Sequence, residues 1–362
     1  MGINEIIIYI MVLFMIIGAI DKCFGNRLGY GEKFEEGIMA MGALALAMVG
    51  VISLAPVLAK ILRPIISPAY TMLGADPAMF ATTLLANDMG GYPLAMELAL
   101  SPEAGKFAGL ILGAMMGPTL VFTIPVALGI IEKEDRPYLA KGILAGMITI
   151  PIGCLAGGLA AGFPLELVVS NILPIIIFSA LISLGLWKIP EKMTNGFTVF
   201  GKGVVIVITI GLAASIIETL TGIVVIPGMA PITDGIEIVG SIAITLAGAF
   251  PLVLFLTRVL NKPLTKLGES LGMNEKAAAG LIATLANNIP MFGLMKDMDK
   301  RGKIINVAFA VSGAFVFGDH LGFTAGVDSQ MIFPMVVGKL VGGITAVILA
   351  KFMFKNIEGE AK

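Results

Sequence analysis

The residues best equipped for chemistry in this chain are few, polar and set in apolar surroundings. Leu85-Ala86-Asn87-Asp88 returns 200 residues later as Leu285-Ala286-Asn287-Asn288, each copy inside an apolar segment and each followed within five residues by a proline or a glycine pair. Two polar, helix-breaking turns of this kind at bilayer depth point to a transport site, because freed carbonyls and side-chain acceptors are what a polar solute needs there. The other polar groups at that depth are Thr119, Asp319, His320 and Lys339, with Asn171 and Glu218 nearer the ends of their segments. A charged side chain at the centre of a spanning helix costs about 2.5–3.5 kcal/mol on insertion scales, so these groups are expected to face the protein interior and to have partners.

Composition sets the class of element that must position them. The 362 residues are 57% apolar and 14% charged, with a mean hydropathy of +0.97, whereas soluble domains carry about a quarter charged residues. An all-α integral membrane protein is expected. A net charge of −1 gives no reason to expect a nucleic-acid partner. Cys23 and Cys154 form no disulfide or metal pattern, and no cofactor is implied. Met1 to Ile20 lacks the basic start and cleavage site of a secretory signal and reads as a first span. Eleven apolar segments follow one another at roughly 5–20, 37–60, 76–97, 107–131, 138–162, 166–187, 200–222, 236–257, 276–296, 303–326 and 330–354. The third holds Asn87, Asp88, Gly90, Gly91 and Pro93 and the ninth holds Asn287, Asn288, Pro290 and Gly293, so each reads as two half-length helices joined by a polar turn.

The distribution of Lys and Arg distinguishes crossing from turning back. If all eleven segments cross, the basic residues divide 12 against 11 and orient nothing; if 76–97 and 276–296 are re-entrant hairpins, only Lys60, Arg63 and Lys106 remain outside and 20 lie inside, with Lys339 within a span. The uneven split favours nine transmembrane helices plus two hairpins, the N-terminus outside and the C-terminus cytoplasmic. Residues 84–119 align with 284–319 without a gap at seven identities, and Glu97 meets Asp297. The first hairpin would enter from outside and the second from inside, so the repeats are expected to be inverted, a recurring plan of secondary transporters. The expected division is a first repeat over 1–165, a connecting span and loop over 166–199, and a second repeat over 200–362.

Three stretches carry a family resemblance. Phe34-Glu35-Glu36-Gly37 through Met41-Gly42-Ala43, Met116-Gly117-Pro118-Thr119 through Pro125-Val126-Ala127-Leu128-Gly129-Ile130-Ile131-Glu132, and Thr284-Leu285-Ala286-Asn287-Asn288-Ile289-Pro290-Met291-Phe292-Gly293 with Gly318-Asp319-His320-Leu321-Gly322-Phe323 resemble the ethanolamine-utilisation membrane proteins called EutH. The resemblance runs nearly end to end. It implies a permease or facilitator for ethanolamine in a bacterial inner membrane, working beside a lyase-based degradation pathway. The chain looks shorter than some relatives after the first span and around 163–166 and 222–235, all loops in this reading.

Ethanolamine at neutral pH is mainly a small ammonium ion bearing a hydroxyl, so a selective site needs a carboxylate or several carbonyls for the charge and amides or hydroxyls for the alcohol. The expected substrate-binding set is Asp88, Asn87, Asn287, Asn288, Asp319 and Thr119. Asp88, beside Gly90 and Gly91, is the first choice for the cation; its structural role would be to cap the second half-helix. The three asparagines suit the hydroxyl, or serve the turns alone. Asp319-His320 stands where the first repeat has Thr119-Leu120, so one repeat alone carries ionisable groups there. That suits a gate, a proton step, a second ligand group or a buried His-Asp bond between helices. His320 is the sole histidine, the one source of an imidazole titration near neutral pH. Lys339 would repel a cation and reads as a counter-ion for Asp319 or another carboxylate; with His320 it forms the gating or proton-linked set. One tip bears Asp88 where the other bears Asn288, an asymmetry that a single small cation requires.

Gly109, Gly113 and Gly117, Gly158 and Gly162, and Gly338 and Gly342 form GxxxG faces. Within a multi-span bundle such faces pack internally more often than they dimerise, so they leave a homo-oligomer open without establishing it. Gly268-Glu269-Ser270-Leu271-Gly272 matches a nucleophile elbow in form only, since no strand precedes it and the sole histidine lies in a distant span. The 22 methionines are scattered filling. Ethanolamine and the lipid bilayer are therefore the expected partners. Two other classes compete with this one: an ion-coupled carrier of another small solute with the hairpin order of nucleoside carriers, and an intramembrane enzyme or non-transporting receptor. The enzyme lacks a nucleophile or metal set, and the receptor lacks a soluble docking domain.

Overall fold

Inside lipid no water satisfies the backbone, and helices answer this by pairing every peptide group within their own segment. The computed structural model describes residues 2–355, and those residues are helical with no strand among them. In chain order the helices are α1 (Ile3–Cys23), α2 (Tyr30–Met72), α3 (Ala78–Leu84), α4 (Gly91–Leu98), the irregular α5 (Pro102–Ile130), α6 (Arg136–Ala160), α7 (Leu165–Lys188), α8 (Pro190–Thr221), α9 (Ile232–Ser270), α10 (Glu275–Ala286), α11 (Asn288–Leu294), α12 (Lys300–Gly313), α13 (Asp319–Val327) and α14 (Ile332–Met353). Eight of them among the described residues, namely α1, α2, α5, α6, α7, α8, α9 and α14, are long and apolar enough to cross a membrane. The expected span at 303–326 is instead the pair α12 and α13, interrupted at Ala314–Gly318. Lys362, one of the basic residues expected inside, lies outside the described residues.

The helices α2 and α9 hold 43 and 39 residues, about 60 Å each at 1.5 Å per residue and so about twice the hydrocarbon thickness. They overrun the apolar runs 37–60 and 236–257 at both ends. They pack on each other, α1 packs on α9, and α8 packs on α2. Small residues let the backbones approach. A Cβ on Gly50 would lie 2.1 Å from the Ile208 carbonyl and one on Gly37 2.5 Å from the Ala247 nitrogen. The same logic places α14 against α6 through Gly338 and Gly342 facing Gly153 and Gly157, a close backbone contact of the kind lipid-embedded helices favour. The tandem glycines of α5 also pack internally, Gly109 on Tyr92, Gly113 on Thr82 and Gly117 on Leu85.

In both short-helix pairs hydrogen bonds join the two ends. The Asp76 carboxylate accepts from Ala78 N at one foot of α3–α4 and from Leu100 N at the other, both at 2.9 Å, while Asn171 Oδ1 of α7 accepts from Asp76 N at 2.7 Å. Burial raises the Asp76 carboxyl above its ordinary value, and the backbone donors of Ala78, Leu100 and Ser101 pull the other way. In α10–α11 the Asn274 amide donates to Asp299 Oδ1 at 2.8 Å and its side chain to the Asp297 carbonyl at 2.9 Å. Each tip then rests on an interruption in the following element. A Cβ on Gly117 would fall 1.9 Å from the Leu85 carbonyl, and one on Gly318 2.1 Å from the Ala286 carbonyl, so neither position admits a side chain. Phe315 N and Phe317 N complete the second contact by donating to the Thr284 and Leu285 carbonyls at 3.1 and 3.0 Å.

Candidate functional site

The interruptions set the site. In α5 the winding loosens to a π turn at Phe107–Ile111, tightens to 3₁₀ at Leu112–Ala114 and loosens again at Thr119–Thr123; local π and 3₁₀ turns of this kind recur at functional positions. Between α12 and α13 the chain turns through Phe315 at φ +63°, a left-handed conformation that a ring-bearing residue rarely adopts. These two breaks and the α3–α4 tip enclose a cavity of about 40 Å³ lined by Ala86, Asp88, Met89, Pro118, Phe122, Phe315, Asp319 and His320. One water needs roughly 10–15 Å³ on this measure, so the space suits a few waters or a solute of about four heavy atoms. A larger cleft of about 410 Å³, between the first tip and α2 and α8, is lined almost wholly by apolar side chains and offers an ammonium nothing.

Two of the expected ligands meet here. Asp88 reaches the cavity from the first tip and Asp319 from the start of α13, both half-buried. Asp88 does not cap the second half-helix, because Gly90 stands at that N-cap and no side-chain bond is made there. Phe122 and Phe315 stand edge to face with centroids 5.6 Å apart, and the His320 ring lies 5.1 Å from Phe315. Two carboxylates beside aromatic faces form an environment for a small organic cation, which gains from charge and from the ring quadrupoles together.

His320 lines the cavity but is turned to Lys339 rather than to a carboxylate. The two are joined at 3.0 Å between Nδ1 and Nζ, with roles that follow the imidazole tautomer. Lys339, 1% exposed, also donates to the Ala114 carbonyl. Four residues beyond Ala114 stands Pro118, which has no N–H to donate, so the lysine satisfies a backbone group that this stretch of α5 leaves open. Lys339 thus makes its direct contacts with a carbonyl and an imidazole rather than with Asp319, while the carboxylate that acts on its charge through space is Asp88.

The remaining expected ligands divide by what already holds them. Asn287 commits its oxygen to capping α11 through Ile289 N at 2.8 Å. Asn288 is fully buried and donates from Nδ2 to Thr123 Oγ1 of α5 at 2.9 Å, its oxygen lacking a partner. Thr119 is spent on the Met115 and Val311 carbonyls at 2.9 and 3.1 Å and lies outside the cavity lining. Asn87, next to Asp88, is fully buried with neither amide atom bonded. The residues that polarity alone did not flag are the aromatic pair Phe122 and Phe315, together with Thr123 and the Ala114 carbonyl. Phe315 stands four residues before Asp319, and that proximity is the one signal a search for cation-binding rings would have found.

Fold and cavity together define a multi-pass helical membrane protein with a small acidic and aromatic cavity where interrupted helices meet. The family model described as "Ethanolamine utilisation protein, EutH" matches residues 3–353, and the chain belongs to that family. It is 71% identical to the "Probable ethanolamine permease EutH" of Listeria monocytogenes serotype 1/2a (strain 10403S) over 98% of this chain and 95% of that protein. It is 56% identical to the protein of the same description from Escherichia coli (strain K12), over 100% and 98% of the two chains. The "Uncharacterized protein YxeR" of Bacillus subtilis (strain 168) is also 56% identical, over 98% and 95%. No solved structure matches the chain. The descriptions of the L. monocytogenes and E. coli relatives name a probable permease rather than an enzyme.

Proposed function

We propose that this protein carries ethanolamine, as its ammonium ion, across the bacterial inner membrane. The observation that carries the reading is the cavity of about 40 Å³ in which Asp88 and Asp319 converge beside Phe122 and Phe315. Its size suits the four heavy atoms of ethanolamine, and its carboxylates and rings suit an ammonium. Asn87, with both amide atoms unbonded, is the nearest candidate in sequence for the hydroxyl. The descriptions of the relatives from L. monocytogenes and E. coli support the same substrate.

The site lies between two inverted repeats, each made of two spans, a re-entrant hairpin, an interrupted span and a further span, with α7 as the odd crossing that inverts the second. Three kinds of observation support this plan. Each hairpin's feet are bonded together; each tip rests on a glycine of the next element; and the long helices α2 and α9 fall about 200 residues apart. Polar contacts also join residues that the charge count puts on the same side, as Asn4 with Gln330 outside and Arg258 with Leu28 inside. With α12–α13 counted as one interrupted crossing, the protein has nine crossings, the N-terminus outside and the C-terminus cytoplasmic.

The test is uptake of labelled ethanolamine by liposomes containing the purified protein, with Asp88→Asn as the comparison. The variant keeps shape and one acceptor but loses the charge, and a charge-assisted hydrogen bond contributes about 1.5–3 kcal/mol. Specific flux should fall by roughly tenfold to a hundredfold at limiting substrate. Wild-type rates in Asp88→Asn vesicles would remove the carboxylate from the mechanism.

A further inference from the structure

Lys339 is a buried cation next to a cavity that suits a cation, and its placement needs a reason. Its Nζ meets the Ala114 carbonyl and His320 Nδ1, the latter at 3.0 Å, and the same carbonyl stands beside the imidazole. Lys339 is also the cation whose charge reaches Asp88 through space. An ammonium has three N–H donors and no acceptor. Where it joins a carbonyl oxygen and a ring nitrogen, both partners must accept. Nδ1 then carries no proton, and the proton of the neutral ring sits on Nε2, since the bond made by one ring nitrogen sets the state of the other. Both side chains are buried. His320 lines the cavity, and with Nδ1 turned to the lysine, Nε2 is the nitrogen left for it.

We propose that Lys339 fixes His320 as the Nε2–H tautomer and that this N–H donates to the hydroxyl oxygen of the solute, so that His320 tells ethanolammonium from an alkylammonium of equal size. The inference rests on the reading that the cavity holds ethanolammonium. The lining itself makes the assignment. Asp88 and Asp319, as carboxylates, can only accept and are matched to the ammonium, whereas a hydroxyl oxygen also calls for a donor. Among the lining side chains only the His320 imidazole has an N–H or O–H to give. Asn87 is close in sequence but outside that lining. A site built to hydrogen-bond a substrate hydroxyl rejects the analogue that lacks it, because its own polar group is then left unpaired. Lys339 is a positioning residue that acts through the ring, which is how a buried cation can serve a cation site.

The probe is n-propylamine, which puts a methyl where ethanolamine has its hydroxyl. With the purified protein in liposomes, propylamine should inhibit specific uptake of labelled ethanolamine roughly fivefold to a hundredfold less well than unlabelled ethanolamine does. His320→Leu should erase most of that preference. His320→Gln, whose amide N–H falls near the position of Nε2–H, should keep more of it than His320→Asn, whose amide falls near Nδ1. Lys339→Met changes the charge felt by both amines alike, so a fallen preference there reports on the tautomer. His320 is the sole histidine, so protein labelled with nitrogen-15 histidine gives a single imidazole by NMR, and the wild type should show the Nε2–H form without any variant. An Nδ1–H ring or an imidazolium at neutral pH would overturn the proposal, as would an unchanged preference in His320→Leu. A preference untouched in Lys339→Met would remove the lysine's part. Wild-type flux in Asp88→Asn would instead sink the cavity reading beneath it, whereas lost flux there with the preference intact in His320→Leu would put the fault with His320 alone.

Discussion

Two ion pairs tie the interrupted elements of one half to the other. Lys303, at the start of α12, pairs with Asp135, just past α5, and Lys106, near the start of α5, pairs with Asp328, just past α13, at 2.8 Å. They should differ greatly in strength because they differ in burial. The side chains of Lys303 and Asp135 are 12% and 3% exposed, against 38% and 13% for Lys106 and Asp328. Lys303→Met strands a buried carboxylate whose second oxygen already lacks a partner; losing one member of such a pair costs about 3–5 kcal/mol. Lys106→Met leaves a pair that water already screens, and the loss should be about 0–1 kcal/mol. Adding Asp135→Asn to Lys303→Met removes the stranded charge and should recover most of the loss, the signature of a coupled pair. Thermal unfolding in detergent measures this. At roughly 2–4 °C per kcal/mol for chains of 150–250 residues, and less for one this long, Lys303→Met should still lower the midpoint by several degrees and Lys106→Met by about a degree or less. Equal losses from the two lysines, or a double variant no better than Lys303→Met alone, would refute the burial argument. If it holds, the face closed by Lys303 and Asp135 is the more costly one to open.

Two further outcomes test the topology and the strained ring. In a Cys23→Ser background, where the exposed native thiol is removed and Cys154 is buried, Arg63→Cys should react with an impermeant reagent from outside and Lys300→Cys from inside only; labelling of both from one face would break the inverted plan. At Phe315 the usual order of substitutions should invert. Phe315→Ala loses the ring yet keeps the left-handed backbone, whereas Phe315→Gly loses the ring and relieves it, so the glycine variant should be the more stable by about 1 kcal/mol. Both should bind ethanolamine more weakly by roughly twofold to thirtyfold, the range of a cation–π contact of about 0.5–2 kcal/mol. A glycine variant less stable than the alanine one would refute the strain.

How much of the fold and site is legible in the sequence depends on what kind of statement the residues make. The membrane class and the two helix breaks at Asn87 and Asn287 are plain, because the composition is that of a membrane protein and a polar pair in an apolar run marks a turn. The bonded feet at Asp76 and Asn274 support the same reading from geometry that charge counting never used. The break between α12 and α13 is hidden, since 303–326 is a nearly unbroken apolar run and Gly313 and Gly318 mark it no more clearly than other glycines mark intact helices. Most obscure is which polar groups are still available. Thr119, Asn287, Asn288, Asp88 and Asn87 look equivalent as deep polar residues, yet the first closes onto carbonyls one turn back and across the interface, as helix threonines do. The second caps its own helix, and the third spends its amide nitrogen on Thr123. Sequence identifies the polar groups that lipid would penalise; structure identifies which of them the fold has already satisfied. A binding site consists of the remainder. By that criterion Asp88 and Asp319, which line the cavity, stand apart, while Asn87 and the Asn288 oxygen are unbonded but lie outside its lining. One tip turns Asp88 to the cavity and the other turns Asn288 to Thr123 of α5, an arrangement that suits the single cation site proposed above.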